Sequence, residues 1–352
     1  MAQVTGKAAT DATLPGLNPV QTGVTGAARA STGVRSRKRN EPIAYLFLLP
    51  AVLVLSVFSF FPLFFAFYIS LHNWKLRKLA FIGWQNYQEA LHKPDFWESF
   101  GNTIFFAIGT VPFTMALALV FAFLLFQKVR FLSFFRTIYF LPYVTSTVAA
   151  AAVWTWIFNA RSGVMNALLG HFGVQLRWLQ ESKGVLYMIA QHFGLTLPGW
   201  AHGPSLALTS IMAMTTWHLI GFDIVIFLAG LGNINKELYE AARIDGANEW
   251  LIFRRITMPL LMPTIYFLTI ISSIAAFKAF NEIYVMSTTA GNGSTAGNPL
   301  GSTQTLVIYV YNQFYSSQRL GYGSAIAFLL FAVILALTLV QLWFGRRREV
   351  EA

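Results

Sequence analysis

Charged residues in this chain fall in clusters separated by long charge-free stretches. No Asp, Glu, Lys or Arg occurs in 42–74, 99–127, 137–160, 184–222, 256–277 or 320–345. A bilayer hydrocarbon core is about 30 Å thick and takes about 20 apolar residues in helix. Backbone in lipid must satisfy its own hydrogen bonds, so the pattern predicts transmembrane helices near 44–68, 103–126, 137–158, 205–229, 264–286 and 322–344. Pro50, Pro62, Pro112 and Pro142 lie inside these spans and are expected to kink rather than end them. Val185 to Leu197 is apolar but short and holds His192 and Gly194. It reads as an interfacial or re-entrant element, not a seventh span. The expected fold is all-α, a polytopic membrane protein of six transmembrane helices.

Composition agrees with this pattern. Of 352 residues, 56% are apolar and only 11% charged, against about 25% charged in a soluble chain. Two soluble domains of this composition would lack the charge to cover their surface. The absence of Cys excludes a disulfide scaffold, thiolate metal sites and Cys nucleophiles. The net charge of +11 invites a nucleic-acid reading, but its distribution points elsewhere. With six spans and a cytoplasmic N-terminus, 16 Lys and Arg fall on the cytoplasmic side and 8 outside, as the positive-inside rule requires. Lys75, Arg77 and Lys78, just outside the first span, run against that trend. Reversing the chain to suit them would worsen the other loops.

Residues 1–40 are rich in Gly, Ala, Thr and Ser without apolar periodicity and read as a disordered cytoplasmic tail. No apolar signal-peptide core precedes Ala44. The basic run Arg35 to Arg39 is expected to set topology and touch anionic lipid headgroups rather than nucleic acid. Residues 41–348 form the membrane domain, and 349–352 a short cytoplasmic end.

The loop over 234–263 stands apart from the others. Leu238, Ala241, Ala242 and Asp245 follow helical spacing, Gly246 punctuates, and Trp250, Phe253, Ile256 and Thr257 follow at spacings of three and four. This predicts two short surface helices meeting at Gly246, where a turn needs close approach or positive φ. Pro259 and Pro263 mark the start of the fifth span. Two readings fit: an interfacial hairpin joining two spans, or a docking element for a cytoplasmic partner. In the second, Ala241 and Ala242 permit close approach and Glu240 and Asp245 offer carboxylates.

Glu240-Ala241-Ala242, then Gly246 after three residues, then Ile256-Thr257-Met258-Pro259 resemble the "EAA" loop of permease subunits in binding-protein-dependent ABC importers. Met258 stands where the family pattern has Leu. The resemblance runs over about 42–348, through Phe135 to Tyr143, Trp154 to Asn159 and Asn281 to Val285. It is strongest to the carbohydrate-uptake branch, first of two paired subunits. The tail and much of 181–203 look like additions. The resemblance implies a multi-pass subunit of a bacterial or archaeal cytoplasmic (inner) membrane, with both termini cytoplasmic. It also implies a second homologous permease, two cytoplasmic ATPase subunits and an extracytoplasmic solute-binding protein. Glu240, Ala241, Ala242, Asp245, Gly246 and Pro259 would then belong to the loop that contacts the ATPase. The solute would be a carbohydrate or polyol.

Ionisable side chains inside spans are costly and should face a cavity or a partner. His218 and Asp223 lie in the fourth predicted span with Trp217 and Phe222, and Ser272, Lys278 and Asn281 in the fifth, close to Glu282. Aromatic faces and hydrogen-bonding groups in a partly dry cavity suit a sugar. A buried Lys278 would suit an anionic one. Ordinary packing of Trp217, a carbonyl partner for His218, and snorkelling of Lys278 or its pairing with Glu282 fit the same residues. The Ala-rich stretch 148–152 reads as a helix-packing surface.

No Gly-x-x-x-x-Gly-Lys-Ser/Thr occurs, so ATP and Mg are expected on the partner ATPase and no cofactor on this chain. No His pair has metal-site spacing, and no catalytic residue is assigned. A stand-alone secondary transporter or facilitator is the alternative. It usually carries internal repeats and paired broken helices, and no repeat is seen here.

Overall fold

The structure, a computed structural model, describes residues 42–75, 77–126, 132–198, 201–290 and 295–349. The tail over 1–40 lies outside the described residues. Helix accounts for about three quarters of the described residues; two short strands, β1 (His72–Trp74) and β2 (Lys78–Phe81), pair antiparallel. The chain up to Val54 is a unit of its own. It holds most of α1 (Pro42–Leu55), whose side chains from Leu46 onward are exposed and, apart from Pro50, all aliphatic or aromatic, as a lipid-facing helix requires.

From Leu55 the chain passes through a wide π turn (Ser56–Phe60) into α2 (Phe61–Ser70). A matching π turn (Phe253–Thr257) precedes α12 (Met258–Phe277). Each leads directly into a helix with proline in its first turn, Pro62 and Pro259. A proline ring clashes with the carbonyl four residues back and donates no hydrogen bond to it. Here those carbonyls belong to Phe58 and Arg255, inside the widened turns. The π geometry accommodates the ring without ending the helix.

Helix α9 (Leu206–Gly232) is central. Of its apolar stretch 61% is buried, against 33% for α4 (Pro94–Phe126) and 17% for the C-terminal helix α15 (Leu320–Glu349). It packs on α4, on α5 (Leu132–Val144) and on α12. Lipid tails are as apolar as leucine, so helices in a bilayer associate through close packing and buried polar contacts rather than hydrophobic exclusion. The α4 stripe facing inward is accordingly small and hydroxylated, with Ser99, Thr103, Thr110, Thr114, Ala118 and Ala122 at steps of four and seven. Thr103 and Thr110 donate to the carbonyls of Ser99 and Phe106 one turn back, and Thr114 donates to Thr216 of α9 at 3.2 Å. Gly221 of α9 lies so close to α5 that a Cβ there would sit 2.0 Å from the Tyr139 carbonyl oxygen.

Two predicted spans are not continuous helices. The third is α5 followed by α6 (Thr147–Ile157), bent by 94°. Pro142 lies inside the last turn of α5, where the Thr145 amide and hydroxyl both donate to its carbonyl, at 3.2 and 2.6 Å. Ser146 then adopts extended backbone and starts α6 afresh. The fifth predicted span starts earlier than expected, at Met258, and halts at Lys278. It resumes as α13 (Asn281–Ala290) after a short non-helical stretch. The apolar stretch 185–197 forms α8 (Val185–His192), too short to cross a bilayer, ending before Gly194 at φ +71. Ala150 and Ala151 are buried, and α6 packs on α13 and touches α7 (Val164–Gly170), while α14 (Leu306–Tyr315) packs on α15.

The end of the bundle carrying the hairpin is pinned by an ion cluster. Arg319 Nη2 donates to Glu89 Oε2 of α3 (Gln85–His92) at 2.5 Å, and Lys93 Nζ lies 2.8 Å from the other Glu89 oxygen. Arg319 and Lys93 lie 4.3 and 5.0 Å from the Tyr322 ring centroid. The Arg319 hydrogen bond, helped by Lys93 and opposed by partial burial, holds the Glu89 carboxyl below the usual glutamate range.

Two outcomes follow from these contacts. Gly221→Val should push α9 off α5 and cost about 1–3 kcal/mol, read as a lowered Tm of the detergent-purified protein. Because its folded pKa is depressed, Glu89 contributes stability that is full above its unfolded pKa and is lost as pH falls through the lower folded value. The Tm gap between wild type and Glu89→Gln should therefore be constant near neutral pH and close below about pH 4.

Candidate functional site

The two helix breaks meet at one cavity. It has a volume of about 380 Å³ and is walled by Tyr143, Thr147, Thr215, His218 and Glu282, with Met214 and Leu219. Small-molecule sites commonly span about 300–1,000 Å³. Thr147 is the first residue of α6 and Glu282 the second of α13, so both restarted helices present their N-terminal turns to the wall. A smaller hollow of about 100 Å³ shares Thr215, Leu219 and Glu282, and adds Thr110, Thr114, Asp223 and Ser272 among alanines and phenylalanine.

His218 Nε2 donates to the Thr145 carbonyl at the α5–α6 break, at 3.3 Å. A carbonyl only accepts, so the proton sits on Nε2 and Nδ1 carries the lone pair in the neutral ring. The carbonyl-partner reading of His218 and its place on the wall therefore both hold. Asp223 is 2% exposed and has no hydrogen-bond or ion-pair partner among the described residues. Its carboxyl is left to the hollow.

The other sequence candidates divide. Ser272 lies on the wall of the smaller hollow. Phe222 stacks on Tyr143 with ring centroids 5.0 Å apart and planes 27° apart, so it props a wall residue from behind. Trp217 packs on Trp154 at 5.6 Å, is 40% exposed, and is off the wall. Lys278 caps α12 and is exposed, as is Asn281, and neither lines the cavity. The pairing of Lys278 with Glu282 is not formed: no ion pair joins them among the described residues. Tyr143, Thr147, Thr110, Thr114 and Thr215 were not anticipated. Pro142-Tyr-Val-Thr-Ser146, a helix stop followed by a capping residue, was the available sign for the first two.

The loop over 234–263 is built from standard capping chemistry. Asn235 Oδ1 accepts from the Glu237 amide at 3.0 Å and starts α10 (Lys236–Ile244). Gly246, at φ +80, ends it. The Gly246 and Ala247 amides reach back to the carbonyls of Arg243 and Ala242, at 3.1 and 2.9 Å, the paired closure of a Schellman motif. Asn248 then caps α11 (Glu249–Ile252). The positive φ expected at Gly246 is present. The expected second surface helix is not separate, because α11 runs through the π turn into α12, with Pro259 in the first turn of α12 and Pro263 inside it.

No α10 side chain is buried. Glu240, Ala241, Asp245 and Gly246 are exposed and Ala242 is half-buried. Leu238 and Ile244 are exposed as well, and a groove of about 320 Å³ runs beside α10 between Asn233, Leu238, Leu260 and Pro263. α10 is thus an exposed helix beside an open groove.

Residues 90–350 match the family described as binding-protein-dependent transport system inner membrane component. The chain belongs to this family. Among its relatives, the lactose transport system permease protein LacF of Rhizobium radiobacter is 32% identical, over 91% of this chain and all of that protein. The arabinooligosaccharides transport system permease protein AraP of Bacillus subtilis is 34% identical, over 93% of this chain and 97% of that one. A crystal structure of a bacterial ABC transporter involved in the import of the acidic polysaccharide alginate shares the fold. Its TM-score is 0.68 at 22% identity, covering 87% of this chain and 95% of that one. This permease is therefore a multi-pass membrane protein of the ABC-importer type.

The chain has no Cys, so single cysteines report accessibility without background. Thr147→Cys and Thr215→Cys should react with a water-soluble maleimide and be protected by transported solute. Lys278→Cys should react at the same rate with or without it. Mass spectrometry of labelled protein in the assembled transporter reads the difference.

Proposed function

We propose that this permease forms half of the translocation path of an importer for a carbohydrate or polyol. A binding protein on the outer side delivers the solute, and ATP hydrolysis on a separate cytoplasmic subunit drives the transport. The observation that carries the reading is the cavity at the meeting point of two broken helices together with the hollow that adjoins it, lined by hydroxyls, a tyrosine, a histidine and two carboxyl groups. Names of relatives that transport lactose and arabinooligosaccharides favour a sugar among solutes of that polarity. On this reading the solute path comprises His218, Asp223 and Ser272, with Phe222 supporting the wall. Trp217, Lys278 and Asn281 stand outside the observed cavity.

The chain supplies α10 to the ATPase. Glu240 and Asp245 present carboxylates, Ala241 and Ala242 allow close approach, and Gly246 sets the bend into the rod that carries Pro259. A second, homologous permease completes the path, and two ATPases beneath close on ATP. Both termini are cytoplasmic, which puts α10 on the ATPase side and the hairpin end outside.

The test is uptake by the importer reconstituted in proteoliposomes with all four kinds of subunit. Uptake should require each of them and ATP. Gly246→Pro breaks the positive-φ closure and should lower solute-stimulated ATP hydrolysis at least tenfold. Glu240→Ala should weaken ATPase retention on affinity purification. Normal uptake and normal ATPase retention in Gly246→Pro would remove α10 from this role, and uptake without any ATPase would favour the facilitator reading.

A further inference from the structure

We propose that the cavity selects uncharged polyhydroxy solutes and rejects sugars that carry a carboxylate, and that Asp223 and Glu282 make that selection. The inference rests on the sugar-importer reading and goes one step further, to the charge of the solute.

The hydrogen-bonding capacity of the wall leans toward acceptors, with the hydroxyls of Tyr143, Thr147 and Ser272 as its uncommitted donors among the described residues. Asp223 and Glu282 as carboxylates only accept. The threonines beside them have already used their protons. Thr110 Oγ1 donates to the Phe106 carbonyl at 2.6 Å, Thr215 Oγ1 to the Ile211 carbonyl at 2.9 Å, and Thr114 Oγ1 to Thr216 at 3.2 Å. What they turn to the cavity is lone pairs. His218 donates its Nε2 proton to Thr145, which leaves it an acceptor as well. The first-turn amides of α6, next to Thr147, have no side-chain cap and supply some donors. The matching turn of α13 carries the Glu282 carboxyl, an acceptor that offsets the positive end of the helix dipole.

A neutral sugar fits this wall because every hydroxyl both donates and accepts. Its protons satisfy the carboxylates and threonine lone pairs, and its ring oxygens face the α6 turn. A sugar carboxylate brings only acceptors. It would bring a charge into a low-dielectric site beside two carboxyl groups, where an uncompensated anion is costly. No Lys or Arg lies on either wall to compensate. Lys278, the one cation within the predicted spans, is exposed and away from the cavity. Asp223, 2% exposed and without a partner among the described residues, is the strongest single sign, since a buried unpaired carboxyl needs a hydrogen-bonding group from outside the protein.

The experiment uses the complete importer in proteoliposomes and matched solutes, lactose with lactobionate and galactobiose with digalacturonate. A pair is used only when the purified binding protein holds both members within tenfold in Kd, so that delivery does not decide the result. Wild type should carry the neutral member at least tenfold faster. Glu282→Gln and Asp223→Asn, each replacing a charge with an amide donor, should narrow the neutral-to-acidic ratio at least tenfold. Glu282→Asp should preserve it. Gel filtration of the complex shows whether each variant assembles, and should one fail, wild type and the other decide. Equal wild-type uptake of the acidic member, or an unchanged ratio in the assembled variants, overturns the selection while leaving the sugar reading intact. Failure of the complete importer to carry any neutral sugar or polyol that the purified binding protein holds overturns both.

Discussion

Everything in this fold answers to one constraint: a peptide group in lipid has no water to bond to, so it must find its partner inside the protein. For most of the chain the answer is the helix itself. Where a helix breaks, the freed groups need another donor or acceptor, and the break survives only in a protein-lined or wet place. The break between α5 and α6 satisfies itself through Thr145, whose amide and hydroxyl close on Pro142 and whose carbonyl takes the His218 proton. The break after Lys278 does so through the Lys278 amide, which returns to the carbonyls of Ile274 and Ala275, and through the Tyr284 amide, which reaches the Phe280 carbonyl at 2.7 Å. Both breaks open onto the same cavity. Its place in the bundle thus follows from the cost of interrupting a helix in lipid.

Packing around that cavity depends on small residues. Gly221 lets α9 touch α5 backbone to side chain-free backbone, and Gly230 lets it approach α12 at Thr264, where a Cβ would lie 2.6 Å from the Thr264 hydroxyl oxygen. Threonine hydroxyls on α4 and α9 return to carbonyls one turn back, so polar side chains sit at helix interfaces without unpaired protons. The same economy leaves lone pairs facing the cavity. Helix packing and the acceptor-rich wall are two results of one arrangement.

Long-range pairing marks the limit of what the sequence could tell. Charge-free stretches located the spans because charge in lipid is costly wherever it falls, which is a local property. The positive φ at Gly246 was legible for the same reason. The break at Thr145 and Ser146 was not, since proline alone does not discriminate. Pro112 and Pro263 sit inside unbroken helices, whereas Pro142 precedes a 94° bend. What differs is a partner for the Thr145 carbonyl, and that partner is 73 residues away in sequence. Lys278 misled for a related reason. Its position in an apolar stretch suggested burial, but the helix ends there and turns it out. Glu282, four residues on, takes the place on the wall that Lys278 was expected to hold.

The two features that carry the proposed function are joined by one piece of covalent structure. From the close of α10 at Gly246, the chain enters a continuous helical run over 249–277, about 40 Å long at 1.5 Å per residue. That run ends at the break whose far side is Glu282. A helix transmits displacement along its axis far better than a loop does, and the π turn before Pro259 leaves it wound rather than cut. If α10 seats in the ATPase as proposed, a shift at Gly246 arrives at the Lys278–Phe280 break with little lost on the way. The break then has to absorb it, because α13 is held separately by α6 and α9. Movement of α12 against a fixed α13 alters the wall at Ser272 and Glu282 first. On the proposed reading, the break at Thr145, tied to His218, holds the cavity, and the break after Lys278 is where it changes.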